Sequence, residues 1–129
     1  MNYKMTILAV LCVFNTFAQN RIIKLTDNWQ MRETTSEKWL PAVVPGCVHS
    51  DLERNKLIAD PYFRTNEKDL QWIDKKDWEY KTVFQMTDKT LNAANIELVF
   101  KGLDTYAGVF VNDHKVLESD NMFREWIVD

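Results

Sequence analysis

Between Asn95 and Asn112 the chain reads NIELVFKGLDTYAGVFVN, and this stretch constrains the fold more than any other. Ile96, Leu98 and Phe100 recur at every second position, with Glu97 and Lys101 as polar counterparts, which is the spacing of a half-buried strand and not of a helix. The tetrad Gly102-Leu103-Asp104-Thr105 interrupts the run, and Gly108 to Val111 resumes it. Val109 and Val111 then share one face while Phe110 takes the other. Asn112-Asp113-His114-Lys115 supplies residues that tolerate turn geometry before Val116 and Leu117. The expectation is the core of an antiparallel sheet.

The N-terminus has a different character. Lys4 gives the first four residues a positive charge, Met5 to Phe14 is an unbroken apolar run, and Thr16 and Ala18 place small residues where a signal peptidase inspects them. This is the pattern of a secretory leader, residues 1–18, cleaved after Ala18, and it implies export to a periplasm or the medium. A bilayer-spanning helix needs about 20 apolar residues, so the run is too short for an anchor. A lipid attached to Cys12 would call for a small residue before it, where Leu11 stands.

Removing residues 1–18 from the 129 leaves 111, enough for one domain, residues 19–129. Cys12 leaves with the leader, so Cys47 is the only cysteine of the mature chain and no internal disulfide can form. Stability must then come from a packed core. The 46% hydrophobic content with only three glycines and three prolines suits that demand. A net charge of −3 and the lack of a basic patch interleaved with aromatics argue against nucleic acid as a partner.

Along the mature chain, Arg21 to Leu25 is β-prone, and Asn28 to Glu33 alternates Trp29 and Met31 against Gln30 and Arg32. Trp39 to Gly46 is apolar but carries Pro41 and Pro45, which restricts it to an edge strand or a connector. From Cys47 to Leu57 the spacing changes to four, through Val48 and Leu52, and predicts a short helix capped by Ser50 or Asp51. Asp60-Pro61 ends it, and Asn66 is placed to cap a second turn through Leu70. Asp77 to Met86 returns to period two, with Trp78, Tyr80, Thr82 and Phe84 on one face. Thr87 to Ala94 reads as a polar connection. Glu125 to Asp129 reads as a strand with no turn or polar tail after it, the mark of a truncated chain.

Few residues combine into chemistry. Cys47 and His49 with Asp51 have the right types for a nucleophile or a metal site, but two ligands on one turn cannot complete a tetrahedral zinc site. Cys47 is therefore assigned a buried, structural role. His49-Ser50-Asp51 contains the side chains of a catalytic triad, yet neighbours on one turn point different ways. Glu67, after Asn66, could belong to a glycosidase carboxylate pair, which requires two carboxyls about 5 to 10 Å apart, but a polar turn assigns it to solvent or capping. Catalytic, cofactor and metal residues are all expected to be absent. Of the five tryptophans, Trp29, Trp78 and Trp126 fall in period-two runs and are assigned to the core; Trp39 and Trp72 lie in irregular segments and stay open as sugar-stacking surfaces.

Taken together, VPGCVHSDL (Val44 to Leu52), IADPYFRTNEKDLQWI (Ile58 to Ile73), DWEYKTVF (Asp77 to Phe84), LVFKGLDTYAGVFVN (Leu98 to Asn112) and DNMFREW (Asp120 to Trp126) closely resemble the start of β-mannosidases. These enzymes share a glycoside hydrolase family with β-galactosidase and β-glucuronidase, and PGCVHS and DNMF point to the mannosidase branch. The resemblance implies an N-terminal jelly-roll β-sandwich, all-β with one or two short helices and galactose-binding-domain-like, incomplete at its C-terminus. It also implies a much longer enzyme that removes terminal β-mannose from the non-reducing end of oligosaccharides. Its two catalytic glutamates would lie in a (β/α)₈ barrel beyond this sequence. Asn66-Glu67 repeats the letters that precede the family's acid/base but stands in the wrong place for that role. The alternative is a free-standing carbohydrate-binding module without catalysis.

Overall fold

The computed structural model describes residues 21–129, so the leader and its cleavage point lie outside the described residues. The chain is mostly strands with a few short helices, divided into two compact units, one running through Thr82 and the other from Val83 to Asp129.

In the first unit, β1 (Gln30–Glu33) is the middle strand of a three-stranded antiparallel sheet, with β2 (Leu40–Pro41) on one side. Next come α1 (Val48–Arg54), α2 (Asn66–Asp69) and a 3-10 turn (Ile73–Lys75), and then β3 (Trp78–Lys81) pairs on the other side of β1. Met31 is wholly buried at the centre of this sheet, directly opposite Leu40 on β2 and Tyr80 on β3. Leu52 from α1, Leu70 and Ile73 close over it, with Val48, Ile58 and Trp78 packed around them. Full burial of such a side chain contributes about 1.5 to 3 kcal/mol. Pro41 stands on an edge strand, as its missing N–H requires.

Three expectations for this unit change. Arg21 to Leu25 forms no strand; Ile22 and Ile23 are exposed, and the Leu25 carbonyl accepts from Trp29 Nε1 at 2.8 Å. The run from Asp77 to Met86 is a strand only from Trp78 to Lys81, because its partner ends at Gln30, opposite Lys81. Before that point Asn28 turns the chain with φ of 58°, so Thr82 bonds the Asp27 carbonyl through its hydroxyl, while Val83 and Phe84 are exposed. Helix α1 begins after Cys47 and not at Ser50 or Asp51, and α2 is preceded by Thr65, while the Asn66 side chain bonds the Asp60 carbonyl.

The end of α1 is a Schellman arrangement. Lys56 takes φ of 60°, its N–H bonds the Glu53 carbonyl at 2.8 Å, and the Leu57 N–H bonds the Leu52 carbonyl at 2.9 Å.

The second unit contains α3 (Asp88–Leu91) within the stretch Thr87 to Ala94 expected as a polar connection; Thr87 caps it, its hydroxyl accepting from the Thr90 N–H. The strands β4 (Leu98–Phe100), β5 (Ala107–Val111), β6 (His114–Ser119) and β7 (Trp126–Val128) follow. They form two antiparallel pairs, β4 with β7 and β5 with β6. Asn112 and Asp113 both have positive φ, the signature of a two-residue type I′ hairpin, as the polar tetrad suggested. The pairing register shifts between Val109 and Phe110, where β6 carries Val116 as an extra residue, and Phe110 and Val111 are both exposed, so the expected division of faces does not bury either of them. The stretch from Asn95 to Asn112 is thus β-structure but not the core: every buried apolar residue among the described residues belongs to the first unit.

Candidate functional site

Cys47 is exposed, not buried, because it occupies the position before α1, where the chain is still extended; its Sγ lies 3.3 Å from the Ser50 hydroxyl. His49 and Asp51 do not join it. Asp51 points the other way, into the first unit, where it is completely buried. Its Oδ1 accepts from the Val43 N–H at 3.0 Å and from the Arg54 guanidinium, and its Oδ2 accepts from the Tyr80 hydroxyl at 3.1 Å. Burial first, and the Asp51 charge second, push the Tyr80 phenol well above its ordinary pKa. Both carboxylate oxygens are occupied, so Asp51 is a joint between α1, β3 and the segment before α1. The spacing of Val48 and Asp51, three apart on one helix face, was the available signal for its inward direction.

Glu67 is exposed on α2. Before it, the Asp60 carboxylate accepts from the Tyr62 N–H at 2.8 Å and its carbonyl accepts from the Asn66 side chain, so a braced loop presents Tyr62 and Phe63 to solvent. Among the described residues no three His, Cys, Asp or Glu side chains gather in a way that could hold a metal ion.

The tryptophans divide differently from the sequence expectation. Trp29, Trp78 and Trp126 are half-buried and outside the fully buried core. Each donates its Nε1–H to a backbone carbonyl, of Leu25, Ile73 and Asn121 respectively. This is how an amphipathic ring sits at a boundary, its body packed and its polar tip satisfied. Trp39 carries Lys81 Nζ 3.6 Å and Arg32 Cζ 4.5 Å from its ring centre, so its faces already hold cations. Trp72 is exposed beside Trp78, with ring centres 6.3 Å apart. No flat platform of several rings results.

A hollow of about 550 Å³ lies within the second unit, where the start of β5 meets the end of β6. Tyr106, Gly108, Glu118, Ser119, Asp120 and Trp126 line it. Ser119 is buried, and its hydroxyl accepts from the Ala107 N–H at 3.1 Å and donates to the Thr105 carbonyl at 3.1 Å. Those two bonds brace the residues on either side of Tyr106, whose ring is 85% exposed. Sequence reading missed this place, since Tyr106 lies in a connection and Glu118 and Asp120 look like ordinary polar strand positions.

Comparison with known proteins gives a consistent picture. Residues 29–129 match the family model described as the glycosyl hydrolase 2 galactose-binding domain-like domain. A β-mannosidase of Bos taurus is 39% identical over 107 residues, which cover 83% of this chain and 12% of that protein. A β-mannosidase B of Neosartorya fischeri is 41% identical over 109 residues, covering 81% and 13%. Among solved structures, the β-D-mannosidase from Dictyoglomus thermophilum superposes with a TM-score of 0.82 at 41% identity, covering 84% of this chain and 13% of that one. The chain thus spans about an eighth of the length of these relatives.

Proposed function

The chain belongs to the glycosyl hydrolase 2 galactose-binding-like family, and from that membership we propose that it is the N-terminal domain of an exported β-mannosidase, an enzyme releasing terminal β-D-mannose from oligosaccharides. The observation that carries this reading is the 41% identity to a solved β-D-mannosidase, sustained over 84% of the chain at a TM-score of 0.82. Glycoside hydrolysis by retention needs two carboxyl groups about 5 to 5.5 Å apart on either side of the bond to be cleaved. This chain contributes neither in our reading: Asp51 is buried and fully bonded, and Glu67 faces solvent on a short turn. The domain's part is then scaffolding and contact with substrate, while acid/base and nucleophile belong to a barrel encoded elsewhere in the longer protein. Export rests on the leader-like residues 1–18.

The test is expression of the complete reading frame and hydrolysis of chromogenic β-mannoside, β-galactoside and β-glucuronide side by side. The reading requires a preference for the mannoside, and a preference for either of the others sinks it. Sequencing the N-terminus of exported protein should find Gln19 first, and retention of Met1 would remove the export claim.

A further inference from the structure

We infer that the face of the β4–β7 pair on which Val99 stands opposite Ile127 is an internal docking surface, covered by apolar side chains from the rest of the longer polypeptide. The composition of the two strands is the first observation. Leu98-Val99-Phe100 and Trp126-Ile127-Val128 are apolar at every position, whereas a strand with one wet face alternates apolar and polar residues. The register then divides the side chains. Leu98 with Val128 and Phe100 with Trp126 share one face, and Val99 with Ile127 share the other. The first face has cover of its own: its four side chains are half-buried, Arg124 lies 4.1 Å over the Trp126 ring, and the indole Nε1–H bonds the Asn121 carbonyl at 3.1 Å. The second face is bare, with Val99 42% and Ile127 59% exposed.

Nothing else in the second unit offsets that exposure. Among the described residues β4 and β7 pair only with each other, and no apolar side chain of this unit is buried. A two-stranded sheet without a core is marginal in water, so the pair calls for a covering layer. Apolar groups are the chemistry required, because a polar group set on Val99 and Ile127 would lose its water without gaining a partner. The occupant is the same polypeptide and not a second copy. The matched residues make up 12% of the Bos taurus relative and 13% of the Dictyoglomus thermophilum chain, so proteins of this kind carry most of their mass outside this region. Tethering places that mass beside the face at a high effective concentration. Two aliphatic side chains, by contrast, offer far less than the roughly 800 Å² per partner of a stable interface between separate molecules. The inference rests on the reading of this chain as one domain of a longer enzyme, and not on which glycoside that enzyme cleaves.

The experiment uses the full-length protein carrying Cys47→Ser, with Val99→Cys or Ile127→Cys added, labelled with a maleimide and read peptide by peptide by mass spectrometry. Labelling at both positions is expected to be at least about tenfold slower in the native monomer than in urea. A smaller effect at both positions overturns the inference. Protection that appears only at concentrations where light scattering shows a dimer assigns the face to a second copy, and overturns it as well. Hydroxyl-radical footprinting of the unsubstituted protein reads Val99 and Ile127 directly, so a cysteine variant that fails to fold does not remove the test. Cleavage of aryl glycosides reports on the proposed function separately. A protein that protects both residues but prefers a galactoside or glucuronide refutes that function and keeps this surface, whereas one that prefers the mannoside with both residues freely labelled refutes the surface alone.

Discussion

Tyr80 on β3 and Asp51 on α1, 29 residues apart in sequence, meet through a hydrogen bond of 3.1 Å from the phenol to the carboxylate. The bond joins the helix to the sheet at the edge of the core formed by Met31, Leu52, Leu70 and Ile73. Because Asp51 is completely buried, removing one of its donors leaves charge poorly compensated in a place water does not reach. Tyr80→Phe is expected to cost about 1 to 3 kcal/mol of stability. Urea unfolding of the two proteins measures it, and equal midpoints would mean the bond contributes nothing.

The same pair predicts a pH dependence. The folded state holds the Tyr80 proton more tightly than the unfolded chain does, whose phenol titrates near 10.0. The stability contributed is therefore fully present below pH 10 and declines as pH rises beyond it, when the unfolded chain releases a proton that the folded one keeps. The unfolding midpoint should fall as pH rises from about 10 to about 11, and fall less in Tyr80→Phe. Parallel declines in both proteins would assign the loss to other groups.

Lys56 closes α1 in the left-handed region, with φ of 60°. A side chain there costs about 1 kcal/mol relative to glycine, which adopts that conformation freely. Lys56→Gly is thus expected to stabilise the first unit by about 0.5 to 1 kcal/mol, with the Schellman bonds from Lys56 and Leu57 kept. A lower thermal midpoint in the variant would show that the lysine side chain has a contact worth more than the strain.

Cys47 offers a direct check of exposure. It precedes α1, exposed, with its sulfur 3.3 Å from the Ser50 hydroxyl, so a thiol reagent should label the native protein at a rate near that of a free peptide cysteine. Labelling that requires denaturant would place Cys47 back in the interior. Cys47→Ser should change stability by no more than about 0.5 kcal/mol.

These cases separate what local pattern carries from what it does not. Asn112-Asp113 forms a turn within the tetrad expected to allow one, and Val48 and Leu52 the expected helix, because turn chemistry and periodicity are properties of a few adjacent residues. The length of β3 is a property of its partner, and Asn28, some 50 positions away, decides it by turning out of the ladder. The direction of Cys47 and Asp51 depended on where α1 starts, one of the least legible features of a sequence. The hollow beside Tyr106 was hidden for a related reason. It lies where Ala107 pairs with Ser119 at the open end of the β5–β6 hairpin, with the Ser119 hydroxyl bonding across, and no motif announces that.

The 129 residues by themselves should not hydrolyse a β-mannoside. Hydrolysis needs an acid to protonate the leaving oxygen and a second carboxylate facing the anomeric carbon, both held in a shaped pocket. The buried carboxylate here, Asp51, is closed off by Val43, Arg54 and Tyr80. Glu118, in the hollow, is held below the usual carboxylate range by Lys115, which suits an acceptor and not a general acid. Prolonged incubation of this chain with an aryl β-mannoside should release no more aglycone than buffer does. Release that disappears in Glu118→Gln would mean that this chain carries a catalytic carboxyl of its own, and the proposal that places both catalytic carboxyls outside it would then have to be abandoned.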